Sequence, residues 1–248
     1  MIRVAAVGDI HLGTDSAGTL TPHLADIGER ADLLCIAGDL TKHGDPEEAA
    51  VLAEELADVT IPIVTVLGNH DYHADREDLV RKVLEEAGIT VLEGERIELD
   101  IDGSTVGVAG TKGFGTGFIG ASASDFGEPE QKAFVRHSLK LARGLQEQLA
   151  ALRTDVTIAL THFSPVADTL RGERLEIYPF LGSYHLAEAI DNAGADLALH
   201  GHAHAGSEKG MTPGGVPVRN VAQPVLQHAY KVYCLGGDGE DCDDPSPS

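Results

Sequence analysis

Five short stretches gather the residue types that ligate metal ions or move protons: Gly8-Asp9-Ile10-His11, Gly38-Asp39, Gly68-Asn69-His70-Asp71, a separate His162, and Gly201-His202-Ala203-His204. Each follows a short apolar run that reads as a β-strand. In an open parallel sheet, ligands bind beyond the carboxyl ends of the strands, so the five stretches can meet in one pocket. Residues i and i+2 of an extended segment point the same way, which predicts that Asp9 and His11 grip one ion together. His202 and His204 follow the same rule, although two neighbouring ions could each take one. Oxygen and imidazole donors without a thiolate suit divalent or trivalent Mn, Fe or Zn and exclude iron–sulfur and blue-copper sites. A lone Asp or His at a strand end is ordinarily a turn residue or a satisfied polar group. Five such groups buried without partners would each cost about 1–3 kcal/mol, which favours a shared ligand.

The elements that must position these residues are legible as buried strands at 2–7, 33–37, 61–67, 105–109, 156–161 and 196–199. Runs bounded by Gly, Asp or Asn carry that reading. Helical periodicity fills several gaps: 22–30, the stretch after Asp45-Pro46-Glu47-Glu48, and 75–87 closing at Gly88. Asp45 reads as an N-cap and Pro46 as a first-turn proline. Alternating Ile97, Leu99 and Ile101 before Asp102-Gly103 predict a hairpin. A Gly-rich loop at 110–127, long helices at 128–152 and 184–192, and strands near 216–221 and 230–235 complete the pattern. No linker divides the chain, so residues 1–235 read as one domain. Residues 236–248, with five acids and no base, read as a solvated, disordered tail.

The chain has 248 residues and a formal net charge of −22, from 40 acids against 18 bases. Such a field repels nucleic acid and anionic lipid, so bulk nucleic-acid binding is not expected. An anionic substrate would need local positive charge, which bound metal can supply. Cys35, Cys234 and Cys242 form no CxxC pair and read as reduced thiols. No apolar run approaches the roughly 18 residues of a membrane span, and the N-terminus lacks a leader pattern. A cytoplasmic location follows as the expectation, and a homodimer is compatible with it.

In this order and spacing, GDIH, GDLTKHG, GNHD, TH and GHAH resemble the signature blocks of the calcineurin-like metallophosphoesterase superfamily, from Asp9 to His204. The resemblance implies an α/β fold in four αββα layers, with two mixed β-sheets face to face and flanked by helices. It implies that Asp9, His11 and His204 hold one metal ion, that Asn69, His162 and His202 hold the other, and that Asp39 bridges both. By the same resemblance His70 contacts the phosphate and protonates the leaving oxygen, while Asp71 sits behind His70 and fixes its orientation. Two ions about 3.5–4 Å apart acidify a bridging water and clamp phosphoryl oxygens, so a hydroxide is the nucleophile. With Asp9 and Asp39 the only anionic ligands, two divalent ions leave a local charge of about +2. The implied activity is phosphoester hydrolysis with two divalent or mixed-valence ions (Mn, Fe or Zn). A small-molecule or nucleotide phosphodiester is preferred over a monoester.

Weaker signals surround this core. Gly115 to Gly120 matches GxGxxG literally, but no amphipathic helix opens there, which argues against a dinucleotide. Lys112 reads as a solvated lysine or a phosphate contact. Arg171, Arg174 and Tyr178 lie on a loop after His162 and are candidate substrate contacts. Two rivals remain at this level: a TIM-barrel amidohydrolase, which also collects His and Asp at strand ends, and a non-catalytic scaffold. No ligand position is damaged as the second would require.

Overall fold

A computed structural model describes residues 1–236 and the pair Asp244–Pro245. Its strands are β1 (Ile2–Val7), β2 (Leu33–Ala37), β3 (Ile63–Val66), β4 (Thr90–Val91), β5 (Glu95–Ile101), β6 (Ser104–Thr111), β7 (Gly117–Phe118), β8 (Ala121–Ser122), β9 (Val156–Thr161), β10 (Leu197–His200), β11 (Lys209–Met211), β12 (Pro217–Asn220), β13 (Lys231–Leu235) and β14 (Asp244–Pro245). One sheet runs β14-β13-β1-β2-β3-β4 and the other β11-β12-β10-β9-β6-β5. Both are mixed: β1 to β4 are parallel and β13 antiparallel to β1, while β6, β9, β10 and β12 are parallel with antiparallel strands at each edge. Two open sheets replace the closed barrel of the amidohydrolase alternative.

The near-continuous apolar runs of β1 and β2 follow from this layering, because both faces of each strand are covered. Val4, Ala6, Leu33, Cys35 and Ala37 point between the sheets, where they meet Val106, Val108, Ile158 and Leu160. Their neighbours Ala5, Val7, Leu34 and Ile36 point outward. The helices are α1 (Ile27–Arg30), α2 (Pro46–Glu55), α3 (Glu77–Glu86), α4 (Pro129–Ala151), α5 (Tyr178–Leu181), α6 (Tyr184–Ala193) and α7 (Gln223–Leu226). Leu52 of α2 and Val80 and Leu84 of α3 cover the first sheet. Leu145 and Leu149 of α4 and Leu186 and Ile190 of α6 cover the second. The result is an α/β sandwich of four layers.

Several local expectations change. The helix expected over 22–30 is a 3-10 turn at Thr21–His23 followed by the one-turn α1. Asp45 caps α2 by position only; its carboxylate accepts from Arg76 at 3.0 Å instead. Asp102 and Gly103 both take positive φ, 50° and 82°, the geometry of a tight hairpin turn between β5 and β6. Within the Gly-rich loop, β7 and β8 pair as a small hairpin. The reading of three reduced thiols is corrected: Cys35 is free and buried, whereas Cys234 is disulfide-bonded. Most of the expected acidic tail lies outside the described residues, and Asp244–Pro245 pairs antiparallel with Lys231–Val232. Among the described residues no helix is long and apolar enough to cross a membrane.

Candidate metal centre

The carboxyl ends of β1, β2 and β3 in one sheet and of β9 and β10 in the other lie together. Asp9, His11, Asp39 and His204 offer ligand atoms all within 4.8 Å of one another, and Asp39, His162 and His202 form a second such cluster. Asp39 therefore belongs to both. Asn69 joins the second group, its Oδ1 lying 3.0 Å from His162 Nε2. Further spacings are 2.8 Å from His204 Nε2 to Asp9 Oδ1, 3.7 Å from His11 Nε2 to Asp39 Oδ2 and 3.3 Å from His162 Nε2 to Asp39 Oδ1. All seven residues proposed as ligands are thus brought to one place.

The local backbone differs from the expected strand geometry. Asp9, His11, Asp39 and His202 take φ of 57°, 44°, 51° and 69°, so neither the DxH nor the HxH segment is extended. The i, i+2 argument fails here because the chain turns sharply as it leaves the strand. Left-handed backbone at a residue other than Gly costs roughly 1 kcal/mol or more and survives where surrounding structure enforces it, characteristically at functional sites. The enforcement is visible. The single backbone amide of His202 donates to both Asp9 oxygens, at 3.0 and 2.9 Å, and the His70 amide donates to Asp39 Oδ1 at 2.8 Å. Gly68 and Gly201 permit this packing, since a Cβ would be driven into the Asp39 and Asp9 carboxylates respectively.

The donor set fits metal ions. Asp9 and Asp39 are 2% and 1% exposed, and buried charge on this scale requires a positive partner. The His11 Nε2 is buried with no hydrogen-bond partner. The electrostatics point the same way. Burial would push Asp9 up, but hydrogen bonding from His204 and the nearby His162 hold it below the usual carboxylate range. Hydrogen bonding to Asp9 raises His204. Desolvation keeps His11 low and brings His202 to about 3, so both favour the neutral imidazole that ligates. Outer contacts orient the rings: His162 Nδ1 lies 2.8 Å from the Ala37 carbonyl and His202 Nε2 lies 3.2 Å from that of Phe180.

His70 sits at the edge of the first cluster, its ring 4.4 Å from that of His11 in a T-shaped contact. Its Nδ1 is held by the Lys42 carbonyl at 2.9 Å, so the expectation that Asp71 orients His70 is corrected. Asp71 is fully buried and instead accepts from the Leu40 and Thr41 amides, the Thr41 hydroxyl and the Gly68 amide, at 2.6–3.2 Å. It clasps the loops that follow β2 and β3. Lys112 is not solvated: it is buried, with Nζ 4.3 Å from the Tyr72 ring and 5.4 and 5.7 Å from those of Phe114 and Phe163. Desolvation lowers it, and Glu93 and Asp39 counter that. Arg171 is exposed and paired with Asp168 at 2.7 Å, Arg174 is exposed, and the Tyr178 hydroxyl donates to the Leu170 carbonyl at 2.9 Å. Their loop approaches the site through Phe180 and through Glu173, which accepts from the Ala205 amide at 2.7 Å. Neither residue stands out in sequence, because one acts through its backbone and the other is one acid among forty.

A four-layer αββα sandwich with carboxylates and imidazoles gathered at strand ends from both sheets defines a class of metal-dependent hydrolases. The chain belongs to the calcineurin-like phosphoesterase family, whose model matches residues 2–206. It is accordingly a phosphoester hydrolase of a metal-dependent family. A search of curated proteins returns no match. Among solved structures it is similar to a phosphopantetheinyl hydrolase from Mycobacterium tuberculosis, with 16% identity, TM-score 0.64 and 88% of each chain covered. It is also similar to TT1561 of Thermus thermophilus, with 17% identity, TM-score 0.58, and 94% of this chain and 93% of that one covered. A putative 5'-nucleotidase from Staphylococcus aureus shares 16% identity at TM-score 0.59 over 99% of this chain and 53% of that one. At these identities the likeness concerns the fold.

Proposed function

We propose that this chain hydrolyses a small-molecule or nucleotide phosphodiester at a two-metal centre, with Asp9, His11 and His204 holding one ion, Asn69, His162 and His202 the other, and Asp39 both. The observation that carries this reading is the membership of Asp39 in both clusters. The donors suit Mn, Fe or Zn. When bound, the ions polarise the phosphoryl group and acidify water. His70 does the proton work: with Nδ1–H donating to the Lys42 carbonyl, Nε2 is the atom that carries the proton for the leaving oxygen. A diester is favoured because it brings one negative charge rather than two. Arg171 is paired with Asp168, and Lys112 is set into its aromatic surround.

Elemental analysis combined with a panel of phosphomonoesters and phosphodiesters tests the reading, with wild type compared with Asn69→Ala. The expected result is diester hydrolysis that falls with metal content in the variant. Equal rates and unchanged metal in the two proteins would overturn it.

A further inference from the structure

A cleft of about 640 Å³ opens directly beside His11, between the loop that follows β1 and the turn that follows α7. Charged residues make up 23% of the chain, yet none lines this cleft. Besides His11, its polar lining consists of His23, Gln223, Gln227 and His228 with two hydroxyl residues, over an apolar floor that includes Leu12 and Leu20. Among the described residues no hydrogen bond uses the side-chain polar atoms of those two histidines and two glutamines.

Both walls are held in place. The buried Glu55 carboxylate accepts from the amides of Gly18, Leu20 and Thr21 and from the Thr21 hydroxyl, which fixes the near wall. The far wall is tied to β1 by the Gln223 amide donating to the Gly8 carbonyl at 2.9 Å. Gln227 ends α7 in the left-handed region at φ 57°, a position where glycine would fit without strain. A carboxamide retained there at a conformational cost, on the rim of a cleft that begins at a proposed ligand, points to use by a bound molecule.

We infer that this cleft seats the organic part of the phosphoester, and that this part is an uncharged alcohol rich in hydrogen-bonding groups: a nucleoside, a polyol or an amide-bearing alcohol. The inference rests on the hydrolase centre proposed above and adds the substrate class. Carboxamides and imidazoles can meet both donors and acceptors, which matches hydroxyls, amides and base edges. A carboxylate or ammonium in the substrate would find no Lys, Arg, Asp or Glu side chain in the lining to pair with, and its desolvation would oppose binding.

The test uses metal-loaded, full-length protein and para-nitrophenyl phosphodiesters whose second arm is methyl, uridine, glycerol or an N-acyl aminoalcohol. All four release the same nitrophenolate, so the ratio of kcat/KM for a polar arm over the methyl arm reads recognition of that arm alone. At least one polar arm is expected to exceed methyl by about tenfold, and Gln227→Gly and Gln223→Leu each to reduce that ratio about threefold to tenfold. Gln227→Gly keeps a backbone that glycine adopts readily, so folding is retained. A ratio near one for every polar arm, or a ratio unaltered in both variants, overturns the inference. If no diester is cleaved, the diester reading proposed above fails instead, and titration with the free alcohols decides the cleft: NMR shifts of the His23 and His228 ring protons support it, and unmoved signals sink it.

Discussion

The two ligand clusters share Asp39 yet sit in different surroundings. In the first, the side chains of His11 and His204 are 22% and 44% exposed, and the cleft opens beside His11. In the second, His162 is fully buried and the His202 ring packs against Phe163 at 4.3 Å. The first cluster opens to solvent; the second is set deeper into the sandwich. If both clusters hold metal as proposed, the ion at the open half would exchange more readily than the one at the closed half.

The most damaging test of this picture is Asp39→Ala. If the halves share that carboxylate, both ions are lost together and hydrolysis falls to background, as read by elemental analysis and turnover; loss of one ion alone would mean separate sites. Next in size, His70→Ala is expected to lower kcat by about 10²–10⁴ with metal content kept. A parallel loss of metal would place His70 among the ligands. His204→Ala and chelator titration should remove one ion first, from the open half, while His162→Ala should lower thermal stability as well as metal content. Equal exchange of the two ions would erase the distinction. Smallest is Asp71→Ala, expected to cost about 2–4 kcal/mol by leaving several buried donors unsatisfied, measured by denaturant unfolding.

The layered fold was largely legible, because a strand covered on both faces must be apolar throughout, as Val4-Ala5-Ala6-Val7 and Leu33 to Ala37 are. The gathering of Asp9, Asp39, Asn69 and the histidines was legible for a related reason: each stands just beyond such a run. The left-handed backbone at Asp9 and His202 was not, since it is imposed by amides and carboxylates from the other sheet. The burial of Lys112 was hidden because its rings, Tyr72, Phe114 and Phe163, come from three separate segments. Asp71 misled for the same kind of reason: adjacency to His70 in sequence says nothing of the Thr41 and Gly68 donors that it finds in space. The cleft needs residues 16–23 and 223–229 side by side, which no local pattern announces.

Asp9, Asp39 and Asn69 hang from one sheet, while His162, His202 and His204 hang from the other. Two metal ions held by all of them would act as a rivet through the sandwich at one end, adding to ties that already span the layers there, among them His162 to the Ala37 carbonyl and the His202 amide to Asp9. Stripped of metal, that end should breathe, with faster amide exchange at the last residues of β2 and β9 while the opposite end stays closed; catalysis and mechanical cohesion are then two consequences of the same ligands.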